Sequence, residues 1–199
     1  MIRRPSRLVV LAAAFGLGLA LCVGLVLLMS GRFSDAPAFQ GATVGGPIQL
    51  TDQNGQPFSD QSQRGKPFLV FFGFTHCPDV CPTALFEVSE IMRRLGPDAA
   101  RAAALFISVD PERDTPAVLK EYLSSFDPNL QALTGDPAAI AAVAKTYRVY
   151  YKKVPLEGED YTLDHTALVY LMDKQGRFVA PFNIKRPPEA AVADLRKYL

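Results

Sequence analysis

The apolar positions of this chain begin with a run that no charged residue interrupts. Residues 8–29 form a stretch of 22 residues without a single charge. A helix of that length rises about 33 Å, which is enough to cross the roughly 30 Å hydrocarbon core of a bilayer. Three arginines lie within residues 1–7 and only Arg32 follows the run closely. The positive-inside rule therefore predicts a cytoplasmic segment at residues 1–7 and a transmembrane anchor at residues 8–29.

The residues after this run predict an exported domain on a tether. Residues 30–46 are rich in Ala, Gly and Pro and have no periodicity, which predicts a linker. A cleaved signal peptide is the alternative to an anchor, because Ala36-Pro37-Ala38 supplies the small residues that a signal peptidase requires. We expect a single pass through the inner (cytoplasmic) membrane, with a domain over residues 47–199 that faces the periplasm.

From residue 47 onward, apolar strands alternate with amphipathic helices. Phe68–Phe72 is continuously apolar and fits a strand buried on both faces, whereas Leu85, Val88, Met92 and Leu95 recur at helical spacing. The pattern predicts hairpins at 48–58 and 167–180, strands at 68–72, 105–109 and 130–133, and helices at 82–95, 116–126, 137–147 and 188–198. This order predicts an α/β fold with a mixed central sheet flanked by helices. It is similar to the thioredoxin fold, in which the chemistry sits at the start of the first helix.

Charge excludes one large class of partner. The chain has 21 basic and 20 acidic side chains, a formal charge of +1. Without the three arginines before the apolar run, 18 basic side chains remain against the 20 acidic ones. Such a domain has no bulk attraction for polyanions, so we expect no nucleic-acid partner.

Two of the three cysteines lie between the first buried strand and the helix that follows it. Cys77 and Cys81 occupy the segment at residues 73–82, and Pro82 fits the first turn of a helix. This placement puts both sulfurs near the positive end of a helix dipole, where thiolates should be favoured. Cys22 lies inside the apolar run, where packing is its expected role.

The spacing of the pair leaves its chemistry open. Three intervening residues widen the loop so that two thiolates can converge on one ion, although a disulfide remains sterically possible. A disulfide that only pins the loop is therefore one alternative. A zinc site is another, but the chain has no second cysteine pair and no His-x-x-x-His to complete four ligands.

The chain contains two histidines, and they differ in their expected roles. His76 adjoins Cys77, and we expect its ring to point away from the sulfurs. His165 precedes the predicted strand at 167–171, where thioredoxin-like chains commonly carry a cis-proline packed against their cysteines. No proline stands there, so an imidazole could lie beside the thiols. Two sulfurs and one imidazole suit Cu(I) and leave room for a fourth donor to Cu(II).

Two further segments have structural interpretations. Asp110 and Asp114 flank Pro111 and are expected to shape a turn rather than to bind metal. Tyr150 to Lys153 precede the acidic loop 157–160, which predicts a solvated hairpin, with a lid or partner surface as the alternative.

Three segments in order resemble the signature of the Sco/SenC family. They read Cys-Pro-Asp-Val-Cys-Pro at 77–82, Val-Asp-Pro-Glu-Arg-Asp-Thr-Pro at 109–116 and Tyr-Thr-Leu-Asp-His-Thr at 161–166. The resemblance implies a membrane-anchored copper chaperone that assists assembly of the copper A centre of cytochrome c oxidase. It implies Cys77, Cys81 and His165 as copper ligands. The implied partners are the copper A subunit of the oxidase, a periplasmic copper donor and a thiol reductant.

A second hypothesis comes from a different functional class. The same cysteines would serve a thiol–disulfide oxidoreductase that reduces the copper A cysteines of the oxidase subunit. A thiol peroxidase is disfavoured, because no arginine lies near Cys77 in sequence. We expect a metallochaperone rather than an enzyme, with the reductase as the alternative.

Overall fold

The computed structural model describes residues 17–19, 21–22, 44–158 and 160–199. The chain divides into two units, Met1–Ala42 and Thr43–Leu199. In the first unit the described residues are helical. Among all described residues, no helix is both long enough and apolar enough to span a membrane. The predicted cytoplasmic segment lies outside the described residues, as do most of the anchor and linker, so these three remain predictions.

The second unit is built on a seven-stranded mixed sheet. Nine strands are described, in chain order: β1 Gln49–Asp52, β2 Pro57–Ser59, β3 Phe68–Gly73, β4 Ala103–Ser108, β5 Leu130–Thr134, β6 Tyr151–Pro155, β7 Tyr161–His165, β8 Val169–Met172 and β9 Phe178–Pro181. The large sheet has the order β2-β1-β5-β4-β3-β8-β9. Its three central strands, β5, β4 and β3, run parallel, and the outer pairings are antiparallel.

Four α-helices pack around this sheet: α1 Val80–Leu95, α2 Pro116–Leu123, α3 Pro137–Thr146 and α4 Pro188–Arg196. Three of them, α2, α3 and α4, begin where the sequence predicts, and α2 and α3 also have the predicted caps. The side chain of Thr115 accepts a hydrogen bond from the Val118 amide, and Asp136 accepts one from Ala139. In both helices proline follows the cap, where its missing N–H costs nothing. Helix α1 begins two residues earlier than predicted, at Val80, and α2 ends three residues earlier, at Leu123.

The core lies between the central strands and the helices. All six residues of β3 are buried, and its register places Phe71 beside Phe106 of β4. The predicted apolar face of α1 is also buried. Burial on both faces explains why these strands read as continuous apolar runs. The mixed sheet with its flanking helices is the thioredoxin-like arrangement that the sequence predicts.

Strands β6 and β7 form a separate two-stranded sheet, which we call the β6–β7 hairpin. Of its described residues, only Leu163 is buried, which confirms the prediction of a solvated hairpin. One placement differs from expectation. His165 is the last residue of β7 and pairs with Tyr151, and β8 begins only at Val169.

The large sheet ends in two short strands. At one edge, β2 has three residues and opens on Pro57. At the other edge, β9 has four residues and closes on Pro181, and its pairing with β8 shifts register between Leu171 and Met172.

Candidate metal centre

Cys77, Cys81 and His165 come together at the carboxyl end of β3. One ligand atom from each of the three lies within 4.8 Å of the others. The residues belong to different elements: the loop after β3, the first turn of α1 and the end of β7. The loop and the helix follow one another in the chain, whereas His165 lies 84 residues after Cys81.

Cys81 is the buried member of the group. Its side chain is 0% exposed, and its Sγ lies 3.5 Å from Nε2 of His165. Gly73, at the end of β3, lies directly against this sulfur, because a Cβ added at residue 73 would stand 2.7 Å from it. The missing side chain at this position therefore makes the space that Cys81 occupies.

Cys77 lies before the helix and caps it. The side chain of the N-cap residue, Asp79, makes no capping hydrogen bond. Instead the Cys81 amide donates to Sγ of Cys77 at 3.4 Å. This contact satisfies one of the N–H groups that every helix start leaves without a partner. Both cysteines are free thiols in this structure.

His165 is half-buried between two aromatic rings. The rings of Phe71 and Phe74 meet it in edge-on contact, at 6.2 and 5.7 Å between centroids. Its Nδ1 lies 3.2 Å from the carbonyl oxygen of Thr166, which can accept a hydrogen only from Nδ1–H. That tautomer leaves the Nε2 lone pair directed at the sulfurs. Burial lowers the pKa of His165, so its imidazole is neutral at pH 7 and can bind a metal.

The expected stabilisation of thiolates is wrong for Cys81. Burial is the largest influence and raises the pKa of this thiol above its ordinary range. A hydrogen bond with the Phe74 backbone acts in the opposite direction but does not outweigh burial. Desolvation therefore dominates, and Cys81 carries its proton in the metal-free protein. A metal ion must displace that proton when it binds.

The other histidine lies outside the group, as predicted. His76 is exposed, and its Nδ1 lies 3.1 Å from Oγ1 of Thr75. It is therefore a neighbour of the site and not one of the three converging ligands.

Asp110 and Asp114 shape a turn, as predicted, but they do so as buried charges. Asp114 accepts hydrogen bonds from the Thr75 amide at 3.0 Å, from the Thr75 hydroxyl at 2.6 Å and from the Ser108 hydroxyl at 2.6 Å. Asp110 accepts from Nε of Arg113 at 2.5 Å and from the Tyr161 hydroxyl at 2.7 Å. Both carboxylates are at most 1% exposed. Sequence reasoning missed that Arg113 and Tyr161 are the partners of Asp110, although both residues lie within the signature segments.

A shallow cleft of about 230 Å³ gives access to the group. Cys77 and His165 line it, together with residues of the Cys loop and of β7, and Cys81 does not. A ligand from another molecule would therefore meet Cys77 and His165 first.

Comparison with known proteins identifies the family of the chain. The SCO1/SenC family model matches residues 36–199. An SCO2-like protein of Rickettsia prowazekii (strain Madrid E) is 43% identical over 141 residues, which cover 70% of this chain and 69% of the relative.

Two solved structures carry the comparison further. ScoI of Bradyrhizobium japonicum, solved with copper bound, is 67% identical with a TM-score of 0.77, covering 78% of this chain and 99% of that one. BsSco is described as a member of the Sco family of cytochrome c oxidase assembly proteins with a disulfide switch. It is 25% identical with a TM-score of 0.61, covering 78% of this chain and 94% of that one. With its fold, its three signature segments and these matches, the chain belongs to the SCO1/SenC family.

Proposed function

We propose that this protein is a copper chaperone that carries copper as cargo on Cys77, Cys81 and His165 and assists assembly of the copper A centre of cytochrome c oxidase. The observation that carries the proposal is the convergence of two sulfurs and one imidazole nitrogen within 4.8 Å. Copper is present in the structure of the Bradyrhizobium japonicum relative, and BsSco belongs to a family named for oxidase assembly.

The donor set fits copper better than it fits zinc. Thiolates are soft ligands that select Cu(I), and imidazole suits both copper oxidation states. Structural zinc is almost always held by four protein ligands. Three donors beside an open cleft leave a position free for a ligand from another molecule, which a carrier requires in order to pass its cargo on.

The different burial of the ligands suggests an order of release. Cys77 and His165 line the cleft, whereas Cys81 is fully buried. We expect an acceptor to replace the two cleft ligands first and Cys81 last. The raised pKa of Cys81 favours completion of the transfer, because reprotonation of its thiol opposes return of the metal.

Copper titration tests the proposal. The reduced protein should bind one copper ion under anaerobic conditions, and the oxidised protein should not, because a disulfide offers no thiolate. Replacing His165→Ala should abolish Cu(II) binding and weaken Cu(I) binding, because Cu(I) can remain on two thiolates. Equal copper binding by the oxidised and reduced proteins would contradict the assignment.

The second candidate function is thiol–disulfide exchange with the copper A cysteines. It rests on two free thiols in one cluster and on the disulfide switch for which BsSco is described. The variant His165→Ala separates the two functions, because dithiol cycling does not require an imidazole. Loss of assembled oxidase in cells with this variant supports copper delivery. Full oxidase activity under copper limitation, together with its loss in Cys77→Ala, would support the reductase.

We also propose that the protein is anchored in the inner membrane through residues 8–29, with the linker at 30–46 and the copper-binding domain in the periplasm. The uncharged run of 22 residues and the arginines before it support this topology. There the domain would meet a periplasmic copper donor and a thiol reductant. A reporter enzyme that is active only in the periplasm should work when fused after Leu199. Activity of a cytoplasmic reporter instead would overturn the topology.

A further inference from the structure

The Asp110–Asp114 turn contacts both halves of the metal centre. On one side, Asp114 binds the amide and hydroxyl of Thr75, two residues before Cys77. Because Asp114 is fully buried and also accepts a hydrogen bond from Ser108, this contact fixes the Cys loop to the end of β4. The turn therefore fixes the position of the loop that carries Cys77.

On its other side, the same turn holds the β6–β7 hairpin. Arg113 donates from one Nη to the Tyr161 carbonyl at 2.9 Å and to Asp160 at 3.1 Å. Its guanidinium lies over the Tyr161 ring, 3.8 Å from the centroid. The Tyr161 hydroxyl in turn donates to Asp110 at 2.7 Å, and Asp110 is paired with Arg113. Arg113, Asp110 and Tyr161 form one closed set of contacts, which we call the latch.

Leu163 belongs to the core and Tyr151 packs against it, but the hairpin has few other polar contacts that could fix its position. It shares no strand pairing with the large sheet, and Leu163 is its one buried residue among those described. An isolated two-stranded hairpin is marginally stable in water. A second ion pair to the turn, Lys153 to Glu112, is exposed on both sides, so it should contribute little. The partly buried latch is therefore the principal polar contact that orients the hairpin.

Strand geometry connects the latch to the ligand. Side chains alternate along a strand, so Tyr161, Leu163 and His165 lie on one face of β7. Phe74 is a second connection between the latch and His165. The centroid of its ring lies 5.7 Å from that of His165 and 6.0 Å from the Arg113 guanidinium. A shift of Tyr161 away from the turn would carry the imidazole away from Cys81.

We propose that Arg113 and Tyr161 are positioning residues that hold His165 against the two cysteines without contacting the metal themselves. This inference rests on the proposed copper site and adds to it. The turn sets the distance between thiols and imidazole, since one end of it binds the Cys loop and the other binds the hairpin. Without the latch the site becomes a pair of sulfurs with a loosely placed imidazole, which retains Cu(I) and binds Cu(II) more weakly.

Copper binding by Tyr161→Phe and Arg113→Gln in the full chain tests this assignment. Tyr161→Phe keeps the ring beneath Arg113 and removes only the hydroxyl. We expect Cu(II) affinity to fall about 10-fold in Tyr161→Phe, the lower end of the cost of losing a group that is bonded directly to a metal ligand, because Tyr161 acts on His165 only through β7. We expect nitrogen coupling from imidazole in the Cu(II) paramagnetic resonance spectrum to weaken, and Cu(I) affinity to change less than about threefold. Glu112→Gln is the matched control, because it removes the charge of the exposed ion pair with Lys153 between the same two elements. Lys153 itself is kept, because its Nζ lies 4.3 Å from the centroid of the Tyr161 ring.

Hydrogen exchange of the metal-free protein provides a readout that does not depend on copper. In Tyr161→Phe the amides of residues 151–165 should exchange faster, while those of β3 and β4 keep their wild-type rates. Faster exchange throughout the core would mean a general structural role and would overturn the proposal. So would wild-type nitrogen coupling in both latch variants, or an equal loss of Cu(II) affinity in Glu112→Gln. If the wild-type protein itself shows no nitrogen coupling, the proposed copper site fails, and hydrogen exchange still decides whether the latch orients the hairpin.

Discussion

The substitution Gly73→Ala should disturb the metal centre, because the new methyl group would press on the sulfur of Cys81. Gly73 ends β3, and a Cβ at this position would stand 2.7 Å from Sγ of Cys81 and 2.8 Å from Cε2 of Phe106. Both neighbours are completely buried, so neither can move into solvent. The backbone angles do not forbid alanine, because Gly73 is not among the residues with positive φ. The expected effect is therefore one of packing alone.

The size of the clash sets the size of the effect. To restore ordinary contact at 3.4 Å, the sulfur must retreat by about 0.7 Å. Metal–ligand distances tolerate about 0.2 Å, so we expect copper affinity to fall at least about tenfold. Overpacking destabilises the folded protein by about 1–3 kcal/mol. Replacing glycine also lowers the conformational entropy of the unfolded chain, which stabilises the protein by about 0.4–1 kcal/mol. The net loss of stability should be about 1–2 kcal/mol.

Gly135→Ala is the matched control, because Gly135 directly follows β5 as Gly73 ends β3. There the new Cβ would be close to the end of the Leu50 side chain at 3.0 Å and in ordinary contact with the Cβ of Ala139 at 3.6 Å. Urea unfolding and competitive Cu(I) titration of both variants measure the two effects. Wild-type copper affinity in Gly73→Ala would refute the argument that this glycine makes room for the sulfur. Equal losses in both variants would refute its specificity.

Three further predictions concern buried and titrating groups. Asp114→Asn should destabilise the protein by about 1–3 kcal/mol in urea unfolding, because an amide cannot accept all three hydrogen bonds from Thr75 and Ser108. Burial alone would raise the pKa of Asp173, but hydrogen bonds from Arg177 and Gln175 outweigh it and lower that pKa. At pH values above the ordinary pKa of 3.8, Asp173→Ala should therefore destabilise the protein by about 1–2 kcal/mol through loss of these hydrogen bonds. The difference from wild type should shrink as pH falls through the lowered pKa of Asp173; a constant difference down to pH 2 would contradict this. Because burial raises the pKa of Cys81, copper binding should release a proton, and the affinity for copper should rise with pH. Calorimetry in buffers of different ionisation enthalpy measures this proton release. Loading without proton release would show that Cys81 is not a ligand.

Local signals explain why most of the fold could be predicted. Proline after Thr115 and after Asp136 marked two helix starts, because cap and proline act within one turn of chain. The apolar run at β3 identified a central strand, because burial on both faces removes the polar positions. These cues depend on near neighbours, and the structure confirms them.

Apart from small differences at the ends of α1 and α2, the departures involve partners distant in sequence. The helix dipole at Cys81 could be inferred locally, but the burial that overrides it comes from β3 and from His165. His165 was expected just before a strand of the main sheet, and it closes a hairpin whose register depends on Tyr151. The contact between Arg113 and Tyr161 spans 48 residues, and no periodicity along the chain predicts such a pairing.

The short outer strands of the large sheet affect how copies of this protein meet. An open sheet edge offers unpaired N–H and C=O groups to any neighbouring chain. Here both edge strands are short, and each contains a proline, which has no N–H to donate. These prolines are Pro57 on β2 and Pro181 on β9. The register shift beside Met172 also interrupts the regular ladder at the second edge. These features disfavour strand addition between molecules at both edges of the large sheet, and so they oppose aggregation by this route.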